Sequence, residues 1–445
     1  MNKNLKKIEI VLIFMGIGMV LNLIYKTSLT LKPWEDEIIA LTSSINFYTS
    51  LDYLPNNSYD NYSYGLTSGI LSSIGGVIGW TITRDLIFTR FFNFLYVFFV
   101  QFLMTYSIFK TNKNYKFLNS IFFGLVLIVL VPWWFSTLYL IAEVISTLIF
   151  VNALFIYNKN KKLSLFLMGC SVIFGKFLLL IPTGLFLATT IKKTEIKKQI
   201  QEIIYYLLPF IAWYSLIFLK IGSSGLETYF QEFIGTLVGR PDSGVQSVST
   251  FGIATVIDNF INSEANNWTA ASILRTTLAP AILLFVTFKD RINIKNQFGL
   301  KYSSILLSIM GTFAWFWLLT PFKYIRQSTH FVLIVIFVSF YLLLYSYKLR
   351  NVYKVLLLIN LSLFLSDIKL IILFNILVII YYLNTPIKIK DYFSIESLVI
   401  FLFVINLLNM NIEVNTKDTF NTNFQSCKSD IFSDLCVDEY LSINK

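Results

Sequence analysis

Long apolar runs separated by short Lys- and Asn-rich punctuation set the rhythm of this chain, from Ile8–Tyr25 onward to about residue 410. Runs of about 20 apolar residues match the hydrocarbon thickness of a bilayer. Only helices or closed barrels satisfy every backbone group in lipid, and barrel strands would alternate polar and apolar positions over about ten residues. These runs do not alternate. The pattern therefore predicts an all-α, polytopic membrane protein. Helices are expected at about 8–25, 86–109, 117–135, 137–157, 203–220, 271–288, 303–319, 328–347 and 394–410. The segment 163–191 is interrupted by Pro182 and Gly184 and followed by Lys192 and Lys193, so it reads as two shorter pieces, 163–178 and 181–191. The stretch 353–383 is too long for one span and breaks at Ser366-Asp367-Ile368-Lys369. The total is about 11–13 transmembrane helices.

Between the runs lie two large outer loops. Residues 26–85 hold amphipathic and Tyr/Asn-rich pieces, and residues 221–270 carry a turn at Gly239-Arg240-Pro241-Asp242-Ser243-Gly244. Their aromatics, among them Tyr48, Tyr53, Tyr229 and Trp268, predict loops folded onto the membrane surface. Residues 1–410 thus form one membrane domain and 411–445 a polar, acidic outer tail. The first run has a short basic lead (Lys3, Lys6, Lys7) and no small-residue cleavage site, so it is expected to remain as an anchor.

Charge fixes the orientation. The net charge of +11 sits on 56% hydrophobic residues and only 14% charged ones. Basic residues gather in short loops, such as Lys110/Lys113/Lys116 and Lys192/Lys193/Lys197/Lys198; on that side 22 cations face six acids, whereas the other side has 13 cations and 19 acids. That asymmetry is the positive-inside rule. It places the N-terminus in the cytoplasm and the tail outside, and it makes a nucleic-acid partner unnecessary. The Ile/Lys/Asn/Phe bias favours a bacterial inner membrane over the endoplasmic reticulum, with the sequons at Asn56, Asn61 and Asn267 of the kind that arise by chance in Asn-rich chains. Cys427 and Cys436 lie in the outer tail, where an oxidising compartment permits a disulfide; Cys170 lies in an apolar run and is expected to be inert.

Candidate chemistry is sparse. Trp34-Glu35-Asp36-Glu37 follows the first apolar run within roughly three helical turns, and three carboxylates there are costly unless they face water, a cation or a substrate. One reading gives Asp36 and Glu37 a catalytic role, taking a proton from an acceptor or holding a cation. The other makes them a solvated helix start favoured by the helix dipole. Glu143 is a lone acid in an apolar helix, either facing a cavity or partnering a cation such as Arg90. Lys176, deep in an apolar segment, either snorkels or is a buried cation. Lys176 and Arg326 are both candidates for a lipid-linked phosphate, Arg through a bidentate grip; ordinary interface anchoring also accounts for Arg326. Arg84, Arg90 and Arg240 are weaker candidates. His330 is the one histidine, so no histidine-rich metal site can be built. No P-loop, Gly-x-Gly-x-x-Gly fingerprint or Cys-x-x-Cys pair occurs.

In order and topology these features resemble the GT-C superfamily of integral-membrane glycosyltransferases, in the style of protein O-mannosyltransferases and lipid A aminoarabinose transferases. The resemblance rests on Asp36-Glu37 after the first helix, the large first outer loop, Thr83-Arg84-Asp85 through Arg90-Phe91-Phe92-Asn93, Glu143, Gly175-Lys176, and Tyr324-x-Arg326. It covers about residues 8–350. It implies a sugar donor on polyprenyl phosphate and a glycolipid, polysaccharide or protein acceptor reached from the outer side. It implies inversion at the anomeric carbon, with Asp36 or Glu37 as the base. A divalent cation (Mg or Mn) would bind at Asp36 if anywhere, and Arg326 and Lys176 would steady the leaving phosphate, with Arg90 and Arg84 as further contacts. On this resemblance the polar tail at 411–445 is expected to stand where better-known members carry a sizeable folded C-terminal domain. An O-antigen-type polymerase or ligase would instead rely on the later loop around Arg240. A lipid-linked sugar flippase would need polar residues along a pathway, and those are few: Glu143, Lys176 and the Asp367/Lys369 pair. No internal repeat is visible, which disfavours an inverted-repeat transporter.

Overall fold

The computed structural model describes residues 3–30, 35–50, 69–109, 137, 140, 142–190, 196–239, 270–290, 302–319, 328–345, 349–384 and 395–415. About 90% of what is described is helix and none of it is strand. Among the described residues, three helices are long and apolar enough to cross a membrane: Leu86–Tyr106, Gln199–Glu227 and Ala271–Lys289. The expected helix at 117–135, the loop segments 51–68 and 240–269 with the three sequons, and the tail with Cys427 and Cys436 lie outside the described residues.

The contacts fall into two compact units. The first contains α1 (Lys3–Thr30), α2 (Glu35–Ser50), α3 (Ile74–Thr83), α4 (Leu86–Phe109), α13 (Ile368–Asn384) and α14 (Ile395–Asn415). Here α1 packs on α4 and α14, and α3 lies along α4. The span 26–85, expected as one outer loop, thus carries the end of α1 and two further helices. Helix α3 escapes hydropathy because it has only 10 residues, three of them glycine. Those glycines create its packing. A Cβ on Gly75 would come within 2.8 Å of the α4 backbone at Asn93 Cα, and one on Gly79 within 2.9 Å of Thr89 Cα. Gly75-x-x-x-Gly79 is a small-residue stripe that lets two backbones approach closely, as such stripes do between helices in lipid.

The second unit contains α5 (Glu143–Ile156), α6 (Lys161–Ile173), α7 (Leu180–Thr190), α8 (Ile196–Gly239), α9 (Ala270–Lys289), α10 (Tyr302–Ala314, continued by a π turn at Trp315–Leu319), α11 (Thr329–Tyr345) and α12 (Asn351–Ser362). Helix α6 packs between α5 and α8, α7 against α10, and α11 against α5, α9 and α10. The interruption expected around Pro182 falls earlier. Phe174–Lys176 leave the helix and a 3-10 turn, Phe177–Leu179, leads into α7. Pro182 sits in the first turn of α7, where its missing N–H costs nothing. Gly175 fixes the break, since its Cβ position is occupied by the Ser146 side chain and the Ser171 carbonyl. Helix α8 runs well beyond the expected 203–220, but Gly222 (φ 71°) kinks it where the apolar run ends.

Candidate functional site

In the first unit the acidic cluster opens α2, and Glu37 turns inward to α4. Arg90 Nε donates to Glu37 Oε1 at 2.6 Å and Arg90 Nη2 to Oε2 at 2.7 Å, a two-pronged pair. Arg90 Nη1 donates to the Ser28 carbonyl at 3.1 Å, near the end of α1. The two side chains are 1% and 0% exposed. One guanidinium thus ties together the last turns of α1, the first turn of α2 and α4. Neither Glu37 as a base nor Arg90 as a ligand group is open in this arrangement; both are committed to each other. The side chain of Asp36, one residue before Glu37, lies outside the described residues, as does Trp34.

The remaining residues of that stretch also have structural work. Asn93, one turn after Arg90 on α4, accepts from the Gly76 N–H at 3.1 Å and donates to the Thr137 carbonyl at 3.0 Å. It thereby satisfies a first-turn donor of α3 that Ser73 leaves open, because the Ser73 hydroxyl pairs with Ser44 on α2. Arg84 ends α3 in the left-handed region (φ 56°), its N–H donating to the Trp80 carbonyl, with its side chain exposed. Asp85 then starts α4 by accepting from the Ile87 N–H at 2.6 Å. Thr83-Arg84-Asp85 is a helix-to-helix corner.

In the second unit Glu143 is the first residue of α5, not a residue within a longer helix as its apolar neighbours suggested. Its partner is Lys176, at 3.3 Å, rather than Arg90. Lys176 occupies the extended residue of the break after α6 (φ −130°, ψ 123°). It is therefore not a buried helix cation: its side chain is 38% exposed, against 2% for Glu143. A half-exposed ammonium is thus set against a buried carboxylate.

Sequence reasoning passed over two further members of this cluster. Thr147, one turn along α5, donates its hydroxyl to the Glu143 carbonyl at 2.7 Å and meets His330 Nδ1 at 3.2 Å. His330, at the start of α11, is 1% exposed and within electrostatic reach of both Glu143 and Lys176. The histidine was visible in the sequence only as a residue too solitary for a metal site. Its neighbours come from residues 143–147 and 176, a proximity no local pattern encodes.

Among the described residues no group of three or more His, Cys, Asp and Glu side chains gathers as a metal site. Arg326 and Arg240 lie outside the described residues. Cys170 is free and buried. No family model and no curated protein matches the chain.

Proposed function

We propose that the protein is a membrane glycosyltransferase that moves a sugar from a polyprenyl-phosphate donor to an acceptor on the outer side. On this reading it is a polytopic protein of about 11–13 spans in a bacterial inner membrane, with a cytoplasmic N-terminus and an outer tail. The supporting observation is the anchoring of the early acidic cluster. Glu37 is held by a dry, two-pronged pair from a helix 53 residues away in sequence. A merely solvated helix start would need no such tie. The pair makes Glu37 a positioning residue and leaves Asp36 as the group for chemistry, either as the base that takes the acceptor proton or as a ligand for Mg or Mn. Lys176 and Arg326 are the proposed cations for the phosphate leaving group. The acceptor is a glycolipid, polysaccharide or protein.

Transfer assays on purified wild type and Asp36→Asn, with a panel of polyprenyl-phosphate sugars, test this. Removal of a general base lowers rates by about 10² to 10⁴-fold. Loss of that order, with an unchanged elution profile and melting temperature, supports the assignment. Full activity in Asp36→Asn, or no turnover with any donor, removes it. A second reading, transport of a lipid-linked sugar, is favoured by one observation: an interrupted helix carrying Lys176 beside buried Glu143 and His330, since broken helices often build transporter sites. A transporter would keep moving substrate in Asp36→Asn.

A further inference from the structure

Helix α9 contains Pro280, and the carbonyl that Pro280 cannot serve is that of Thr276. An α-helical carbonyl accepts from the N–H four residues on, and proline has no N–H to give. Thr276 is 2% exposed, and α9 is one of the three helices long and apolar enough to cross a membrane. An oxygen freed in such a helix needs a donor from a neighbour. Trp317 supplies it, the indole Nε1 donating to the Thr276 carbonyl at 3.3 Å. Trp317 belongs to the π turn that continues α10, and single π turns are frequent at functional sites. Its ring lies 6.4 Å from Phe313 and 5.3 Å from Phe316, and both of those rings face Phe331 of α11. The same stretch of α9 is softened from within. Thr276 Oγ1 donates to the Ser272 carbonyl at 2.9 Å and Thr277 Oγ1 to the Ile273 carbonyl at 2.6 Å, back-bonds of the kind that bend helices. Pro280 and the two threonines before it make a hinge.

We propose that the Trp317–Thr276 bond is a latch across this hinge. Helix α9 has a second position, bent further at Pro280, and the indole holds residues 270–279 in the position observed. That segment carries Arg275, 6% exposed and next to the latched residue. A buried cation in a membrane-spanning helix is costly and points to function. The latch keeps Arg275 in the packed interior of the second unit, and its release moves Arg275 with the hinge. The latch does not depend on the lipid-linked donor, and its failure leaves the glycosyltransferase reading where it stands.

The test is a spin-label distance measurement on the full-length protein in nanodiscs. Labels go on Ile273→Cys in α9 and Met310→Cys in α10, positions 47% and 50% exposed, in a background of Cys170→Ser, Cys427→Ser and Cys436→Ser. Trp317→Phe keeps a ring beside Phe313 and Phe316 and removes the donor. Pro280→Ala returns an N–H to the Thr276 carbonyl and makes the indole unnecessary. With Trp317 present one distance should dominate. In Trp317→Phe the population at a second distance should rise about fivefold, the scale of one lost hydrogen bond. The double variant Trp317→Phe/Pro280→Ala should return to the single distance. An unchanged distribution in Trp317→Phe, or a second distance that persists in the double variant, would overturn the latch. Should Trp317→Phe fail to fold, the double variant decides: recovery of monodisperse protein with the original distance supports the latch, and continued failure overturns it.

Discussion

In the first unit Glu37 and Arg90 meet through two hydrogen bonds of 2.6 and 2.7 Å with both side chains dry, whereas in the second Glu143 and Lys176 share one contact of 3.3 Å with the lysine 38% exposed. The same pair of charges gives two different devices. Arginine's planar fork matches a carboxylate at both oxygens and adds a third bond to a carbonyl, and with both side chains buried the pair is closed off. Lysine is a point charge on a flexible stem, and placed in a helix break it keeps one side open. A closed pair orders backbone; an open pair can exchange its partner.

The largest expected effect breaks the closed pair. Arg90→Ala strands a buried carboxylate and releases α1 from α2, which should cost about 3–5 kcal/mol and strip most folded protein from detergent extracts. A melting temperature in fluorescence-detected size exclusion near that of wild type would place Glu37–Arg90 with the open pair and end the contrast. A smaller effect sharpens it. Double-mutant cycles with glutamine should give a coupling of about 2 kcal/mol or more for Glu37/Arg90 and about 1 kcal/mol or less for Glu143/Lys176. Only the second coupling should shrink between about 0.1 and 1 M salt, as the screening length falls from about 10 to 3 Å. The smallest effect belongs to a third pair, Lys161–Glu202 at 2.5 Å, where the side chains are 37% and 19% exposed. Lys161→Ala should move stability by about 0.5 kcal/mol or less, the scale of a partly solvated pair. A shift as large as that of Arg90→Ala would mean that exposure does not sort these pairs.

The legibility of the fold followed run length. Leu86–Phe109 and the break between α12 and α13 stand where hydropathy and a Ser-Asp-Ile-Lys interruption put them. Helix α3 was missed because glycine lowers its apparent propensity, although Gly75-x-x-x-Gly79 was there to be read. The site was less legible. Asp36, Glu37, Glu143 and Lys176 stood out as charges in apolar surroundings, but that Glu37 pairs with Arg90 and Glu143 with Lys176 did not.

The sequence alone determined the helical class, most helix positions and the handful of charges worth watching, because burial in an apolar medium selects for long uncharged runs and makes every exception visible. Pairing was decided by tertiary structure. Glu37 chose Arg90, Glu143 chose Lys176, and Thr147 met His330 through contacts spanning 33 to 183 residues. Hydrogen bonds depend on ångström distances and on angles between helices, and neither is written in hydropathy or in local spacing.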